Sequence, residues 1–576
     1  MKVIPFIILY LNTITTINGV ENQNNDCEHI KTTPFDLSSV PLIPEEVTNL
    51  TICTGKRKTC CTTFIEDQMK VVVKQKIENK LQDQIFMLRD FFERHLLSFK
   101  QQLREQIFYN KEQLNQMFLK TYGHFYKSNI KVFDDLYTEL DNYLYANTIK
   151  PIPTIVENFF EQSYLIIFEL LNPLRKVITN EQRECLLKMK NGLKPFSHFP
   201  KRISGQLGKS FTVWRSFFEV IEGIVTQLHS LLHTSIPSEC ISKLVEMQYC
   251  QMCTFNQNNL PGSKPCYSYC SNVLKGCLAE YAEIDTQWNV LIDSLLQLFT
   301  KLKDVSNPIT TLAPIPAQIS EGFMVYQERG AEISNRIVLN CFDNYEFYNI
   351  GRSKRDMTIG NSDKDEEGIE LTLRNNKNPK KRRESDVVTR MIETFGDQLK
   401  RMKDFWRTLP ESLCDDKIAT KDDQFCWNGR EITPRYRYKV IPYGIRKQKY
   451  NPEFLSQRLY LTLSRDTFLN QRIKFVTLSN TLNKIYKNAK NDDAVIEGSG
   501  DSEQRSINVD DEDDGKDIYE GSAMEIENEI LNDIRYLTMD DVKSAEHTSG
   551  EQNTSSEKVP FFYLLSLSIF TLLLSH

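Results

Sequence analysis

Apolar residues recur every three or four positions over an unusually long stretch near the start of the chain. Ile77, Leu81, Ile85, Leu88, Phe92, Leu96, Phe99, Leu103, Ile107, Leu114 and Phe118 form one stripe, and residues 64–122 contain neither glycine nor proline. The spacing is that of an amphipathic helix, about 90 Å long if unbroken at about 1.5 Å per residue. Such a stripe is either a coiled-coil seam or the buried face of a core helix. Its aromatic content and the cysteines around it favour the core helix. Further helical patterns occupy 131–146, 155–171, 211–234, 241–251 and 279–303, punctuated by Pro151, Pro153, Pro173, Pro195 and Pro237. Strand alternation is scarce. The pattern predicts an all-α domain over residues 20–490.

Two stretches depart from this pattern. Residues 351–386 are polar and contain Arg352-Ser353-Lys354-Arg355 and Lys380-Lys381-Arg382-Arg383. In a secreted chain, clusters like these in a flexible loop are proprotein-convertase sites, with cleavage after Arg355 or Arg383; the alternative is a solvated loop that is never cut. Between residues 491 and 520 there are twelve acidic and two basic residues. That stretch has too little apolar surface to offset chain entropy, so a disordered acidic tail is expected over 491–553. Arg435-Tyr436-Arg437-Tyr438-Lys439 and Arg446-Lys447-Gln448-Lys449 form another basic stretch. Its interleaved tyrosines fit single-stranded nucleic acid, but the compartment makes a solvated face the better reading, and no nucleic-acid partner is expected.

The chain ends fix the compartment. Lys2, an apolar run over 3–10 and small or polar residues up to Gly19 read as a signal peptide over 1–19. Residues 560–574 form an apolar run that stops at His576, shorter than the roughly 20 residues a spanning helix needs. Asn553, Thr554 and Ser555, then the polar spacer Ser556-Glu557-Lys558, precede it. This is the layout of a glycosylphosphatidylinositol (GPI) signal, with 554–576 removed and the lipid attached at Asn553 first or Ser549 second. A short tail-anchor helix is the alternative. The expected location is the outer leaflet of the plasma membrane, with release by shedding as a second state.

The chain has 576 residues, enough apolar material for a sizeable core, and a net charge of −6, too mild to point to a polyanion as partner of the whole chain. Fourteen cysteines in an oxidising compartment predict seven disulfides. Cys250–Cys253 and Cys266–Cys270 have the spacing of zinc-ligand pairs, and the first that of a redox CxxC. Oxidation removes the thiolates that zinc needs, and no thioredoxin-like strand–helix unit lies nearby. His229 and His233 lie one helical turn apart, but no acidic residue follows His229 as a zinc-protease motif requires. A phosphate loop and a nucleophile elbow are both missing. The reading is a non-enzyme with no catalytic residue, cofactor or metal.

The candidate chemistry is glycan attachment. Glu497-Gly498-Ser499-Gly500-Asp501-Ser502-Glu503 sets a serine between glycines among carboxylates. A xylosyltransferase needs an exposed serine on extended backbone; glycine removes the crowding Cβ, and acidic neighbours suit a basic groove. Ser549-Gly550-Glu551 is a weaker match. Ser204-Gly205 is rejected because Lys201, Arg202 and Lys209 surround it. Asn49-Leu50-Thr51 is an N-glycosylation sequon; Asn553-Thr554-Ser555 also fits but competes with the anchor.

Three blocks carry a family resemblance. They are the Cys60-Cys61 doublet opening the long helix; Tyr249-Cys250-Gln251-Met252-Cys253 with Lys264-Pro265-Cys266-Tyr267-Ser268-Tyr269-Cys270 through Cys277-Leu278-Ala279 and Ile284-Asp285-Thr286-Gln287-Trp288; and Leu413-Cys414 with Phe425-Cys426-Trp427-Asn428-Gly429. With the fourteen cysteines, the late Ser-Gly tail and the anchor signal, the chain resembles a glypican along essentially its whole length. The resemblance implies an elongated, disulfide-rich α-helical fold with a Frizzled-like cysteine-rich lobe. It also implies the pairs Cys27–Cys60, Cys53–Cys250, Cys61–Cys253, Cys185–Cys341, Cys240–Cys277, Cys266–Cys426 and Cys270–Cys414. It further implies covalent heparan sulfate and a co-receptor or regulatory role toward secreted growth factors and morphogens of Wnt, Hedgehog, BMP or FGF type. The alternative is a GPI-anchored ectodomain that works by protein contacts without the glycan. One departure is that the family often has several closely spaced Ser-Gly repeats, whereas this chain has one good site.

Overall fold

The computed structural model describes Cys27 and residues 40–497, apart from position 48 and segments 55–57, 147–149, 174–178, 254–262, 343–378, 421–424 and 455–464. Residues 1–19, where a signal peptide is expected, Arg355, Ser499, Ser549, Asn553 and the acidic stretch beyond 497 lie outside the described residues. The chain divides into two units, residues 1–500 and 501–576, and the described helices and strands all belong to the first.

The fold is all-α. Helix α1 (Thr63–Ser128) opens with the Thr62 hydroxyl accepting from the Ile65 N–H. It buries every residue of the apolar stripe named above. Gly123, at φ 49° and ψ −118°, kinks the helix near its end, a conformation glycine reaches without a Cβ penalty. α2 (Ile130–Tyr145), α3 (Ile152–Leu171), α4 (Asn180–Leu193) and α5 (Phe199–Leu231) come next in the chain. α5 starts at Phe199 rather than at 211, because Ile203, Leu207 and Ser210 continue its buried face. Gly205 and Gly208, which weaken the helical pattern in sequence, face open space there.

Beyond them lie α6 (Ser238–Gln248), α7 (Cys250–Cys253), α8 (Tyr267–Cys277), α9 (Ala279–Glu283), α10 (Asp285–Lys303), α11 (Pro308–Leu312), α12 (Ile315–Glu328) and α13 (Gly330–Cys341). α14 (Pro379–Lys400) and α15 (Phe405–Leu413) precede a two-stranded hairpin, β1 (Cys426–Trp427) and β2 (Ile432–Thr433), antiparallel with Cys426 opposite Thr433. α16 (Ile445–Gln448) and α17 (Arg465–Glu497) close the described chain. Where a flexible loop is expected to run to residue 386, helix already begins at Pro379, so Lys380–Arg383 fall in the first turns of α14. The driving pattern is Val388, Ile392, Phe395 and Leu399, all buried at helical spacing.

Large aromatic side chains fill the core. Trp214, Trp288 and Trp406 are fully buried. Two of these three indole N–H groups have a hydrogen-bond partner, and that of Trp406 has none among the described residues. Trp214 donates to the Ser306 carbonyl (2.9 Å) and Trp288 to the Met402 carbonyl (2.8 Å). A second aromatic group joins Phe118, Phe133, Phe159 and Phe323 from α1, α2, α3 and α12. Such pairs add about 0.5–1.5 kcal/mol each beyond their area burial.

One close approach is set by glycine. A Cβ on Gly276 in α8 would lie 2.0 Å from the ring of Phe454, itself fully buried. Gly276→Ala is expected to cost at least about 1–3 kcal/mol, because a rigid ring in a packed site cannot move aside. A lower unfolding midpoint with intact disulfides, measured by circular dichroism, would show it; an unchanged midpoint would mean that the 451–454 segment lifts away freely.

Candidate functional site

The three sequence blocks that carry the family resemblance meet in one lobe. All seven disulfides form, as Cys27–Cys60, Cys53–Cys250, Cys61–Cys253, Cys185–Cys341, Cys240–Cys277, Cys266–Cys426 and Cys270–Cys414. These are the pairs that the resemblance implies. Six of them gather α6, α7, α8, the α15 C-terminus and the β1–β2 hairpin around the start of α1. The seventh, Cys185–Cys341, ties α4 to α13. No described cysteine is free.

Backbone pairing complements the disulfides. Cys266 N–H donates to the Trp427 carbonyl and Trp427 N–H to the Lys264 carbonyl, both at 2.9 Å. Tyr267 N–H and Thr420 N–H pair across the same seam with Thr420 and Pro265 carbonyls. The hairpin turn needs Gly429 at φ +94°. A side chain there would strike the Tyr269 hydroxyl at 2.7 Å.

Buried polar groups fix the connecting segments, and no local sequence signal marks them because their partners are far away in the chain. Glu66 in the first turn of α1 is buried. Its carboxylate accepts from Thr51 N–H (3.0 Å), the Thr51 hydroxyl (2.9 Å), Ile52 N–H (2.7 Å) and Cys53 N–H (2.9 Å). Desolvation pushes this carboxyl up, but the hydrogen bonds from 51–53 together outweigh it and hold its pKa below the usual value. Asn49, the sequon asparagine, is exposed, while Thr51 of the same sequon is engaged by Glu66. Asp285 at the start of α10 accepts from the Trp406 and Arg407 N–H groups (3.1 and 3.2 Å), capping α15 from another helix. Burial raises its pKa despite these donors.

The segment 434–454 lies on α8 through amides. Asn272, fully buried, accepts from Ile441 N–H (2.8 Å) and donates to the Lys439 carbonyl (3.2 Å). Its own carbonyl accepts from Asn451 (2.8 Å). Glu283 accepts from Ile445 N–H (2.8 Å). Lys275, almost fully buried, pairs with Glu411 at 3.0 Å beneath the ring of Tyr443 (4.1 Å). Desolvation raises the Glu411 carboxyl, yet hydrogen bonds from Tyr443 and Lys275 bring it below its usual value.

His229 on α5 and His233, just past its C-terminal end, have ring centroids 5.1 Å apart, and an Arg89 guanidinium nitrogen lies 3.4 Å from His229 Nδ1. Among the described residues no group of three or more His, Cys, Asp or Glu is placed to hold a metal ion. No described helix is long and apolar enough to cross a membrane. Arg383 is the one cleavage candidate within a described helix.

Long-range disulfides closing an all-helical core define a disulfide-locked core protein built for an oxidising compartment. A glypican family model matches residues 7–573, and the chain belongs to the glypican family. It is 26% identical to glypican-5 of Mus musculus over 418 residues (72% of this chain, 70% of the relative). It is 26% identical to glypican-1 of Homo sapiens over 457 residues (78% and 77%). The crystal structure of the full-length glypican-1 core protein matches with a TM-score of 0.64 at 23% identity, covering 81% of this chain and 99% of that one. A structure of Dally-like protein in complex with O-palmitoleoyl serine matches with a TM-score of 0.55 at 24% identity, covering 81% and 99%. Family membership makes this chain a proteoglycan core protein of the cell surface.

The Glu66 anchor has a pH signature. Glu66→Gln is expected to destabilise the fold by about 2 kcal/mol at neutral pH, because charge-assisted hydrogen bonds to 51–53 are weakened. The folded pKa is depressed, so the carboxylate stabilises above the unfolded value of about 4.3 and loses that effect as pH falls through the folded value. Thermal unfolding of the two proteins should therefore converge as the pH is taken down through the folded value, below the unfolded one; a gap that persists at the acid end would assign the effect to shape rather than charge.

Cleavage within 343–378 leaves only Cys414 and Cys426 downstream, both bonded to α8 or the residue before it. The cut core should migrate as one species without reductant and as two with it. Separation without reductant would mean that these two bonds are not formed in the native protein.

Proposed function

We propose that this chain is a GPI-anchored heparan sulfate proteoglycan core that acts as a co-receptor or regulator for secreted growth factors and morphogens, with the glycan on Ser499. The observation that carries the reading is the acidic Gly498-Ser499-Gly500 motif one residue beyond the end of α17, in a chain that belongs to the glypican family. Sulfated chains near the membrane concentrate basic ligands by counterion release, the same physics that governs polyanion binding elsewhere. The disulfide-locked lobe adds a rigid protein surface for direct contacts. The Dally-like structure, a complex with O-palmitoleoyl serine, supports including acylated secreted ligands among the partners. Anchorage at Asn553, or else at Ser549, retains the protein on the outer leaflet. Cleavage after Arg355 is preferred to cleavage after Arg383, because a protease needs extended backbone and Arg383 is helical.

Digestion of cell-derived protein with heparin lyase tests the reading. A diffuse high-mass band should collapse to a sharp core, and Ser499→Ala should remove most of the smear at the outset. A smear that persists in the variant places the glycan elsewhere, at Ser549 first. A sharp band before digestion supports the ectodomain that works without glycan.

A further inference from the structure

Between Arg435 and Tyr450 the chain carries six basic residues and no acidic one, although its net charge is −6. Three basic residues precede the Pro442–Gly444 bend (Arg435, Arg437, Lys439) and three lie beyond it (Arg446, Lys447, Lys449). All six are exposed. Several cations elsewhere are paired, as in Lys80–Asp415, Lys190–Glu161 and Lys403–Asp293, while others such as Lys120, Lys127 and Lys201 stand singly among the described residues; what sets this stretch apart is the number of cations it gathers without a carboxylate. Among the described residues, Arg435, Arg437, Lys439, Lys447 and Lys449 have no carboxylate within ion-pair distance.

These cations are held in place by the fold. Tyr436 is buried between Arg435 and Arg437, and its hydroxyl donates to Glu453. Gln448 is buried beside Lys447 and Lys449, and donates to the Pro442 and Gly444 carbonyls. Asn272 then clasps both legs: its side chain binds Lys439 and Ile441, and its carbonyl binds Asn451. One buried asparagine therefore ties residues 439 and 441 of the first leg and residue 451, just past the second, to one point on α8. Two exposed tyrosines stand among the cations. Arg437 lies over the ring of Tyr438 (5.8 Å) and Lys449 over that of Tyr450 (4.9 Å), with the rings 46% and 63% exposed.

A two-legged arm whose cations include five without a carboxylate partner (Arg435, Arg437, Lys439, Lys447 and Lys449), beside exposed rings, matches a linear polyanion whose anionic groups alternate with faces of C–H bonds. Sulfates meet guanidinium and ammonium groups, and sugar faces lie against tyrosine. A nucleic acid would satisfy the same surface, but the secretory reading above, on which this inference rests, leaves a sulfated polysaccharide. We propose that the 435–450 arm is a docking surface for a sulfated polysaccharide carried by another molecule. That source is present whether or not Ser499 is modified.

The test uses full-length protein with Ser499→Ala and Ser549→Ala, so that failure of glycan attachment cannot imitate failure of the arm. The probe is an immobilised heparin oligosaccharide. The protein should bind at 0.15 M salt, roughly physiological ionic strength, with log affinity falling linearly against log salt. Adding R435Q, R437Q and K439Q should weaken binding about tenfold or more and flatten the slope by about two to three units, near one per cation lost. The side chains are exposed, so circular dichroism and disulfide-dependent mobility should not change. K120Q, K127Q and K201Q, exposed lysines on α1 and α5, should leave binding intact. No binding at that salt, or an equal loss in the second triple variant, overturns the proposal. Equal affinity for polyglutamate reduces the arm to a generic ion exchanger and also overturns it. If the arm substitutions affect binding only in protein that bears its own glycan, the occupant is that chain rather than a neighbour's, and the proposal fails.

Discussion

The rest of the structure depends on the buried stripe of α1. Eleven apolar positions at helical spacing run from Ile77 to Phe118 and all are buried. Each is worth about 1.5–3 kcal/mol when fully covered, and an isolated helix has nothing to cover it with. α1 therefore sets where α2, α5, α6, α11, α12, α14 and α15 pack. The stripe changes partner along its length. Near Phe92 and Phe99 it meets Trp288, Trp214, Phe217 and Phe395, and near Phe118 it meets Phe133 and Phe323.

The disulfides act at the other end of that constraint. Cys60 and Cys61 immediately precede α1, and Glu66 anchors 51–53 to its first turn. Cys53–Cys250 and Cys61–Cys253 close loops of 197 and 192 residues. In the chain-entropy account, cross-links of that span are each worth roughly 5 kcal/mol. They serve a lobe built from short pieces, where α7 has four residues and β1 two. Such pieces bury little by themselves, so covalent bonds and buried amides replace the apolar area that α1 supplies elsewhere. Asn272 is the plainest case, a fully buried side chain that satisfies main-chain groups from residues otherwise unrelated to α8.

Much of this was legible in the sequence because it is periodic. α1, α2, α3, α6 and α10 lie where apolar spacing puts them. The seven pairings were legible only through the resemblance, since spacing alone leaves many connectivities open. α17 was largely missed, and the reason is physical. Its buried face reads Phe468, Gln471, Phe475, Ser479, Leu482, with two polar residues inside the stripe. Gln471 is accommodated by a hydrogen bond to the Ser230 hydroxyl, a partner on another helix that no local window sees. α14 was hidden by the basic run before Val388. The lobe's polar anchors Glu66, Asn272, Asp285 and Asn451 look like surface residues in sequence. Only their distant partners make them core.

The same architecture explains why a long polar insertion is tolerated between α13 and α14. The chain enters it from Cys341, fixed to Cys185, and leaves it toward Cys414, fixed to Cys270. Both flanks are held independently, so the segment 343–378 is not needed to position either one. Closing a loop of that length costs little more than closing a short one, about 0.6 kcal/mol for each doubling. The arm at 435–450 is the opposite case. It is basic throughout, and buried amides hold it on α8, so its charges occupy fixed positions at a fixed cost in polar burial. Rigid presentation of unpaired charge has no purpose for solubility alone, which a mobile run of lysines would serve equally well.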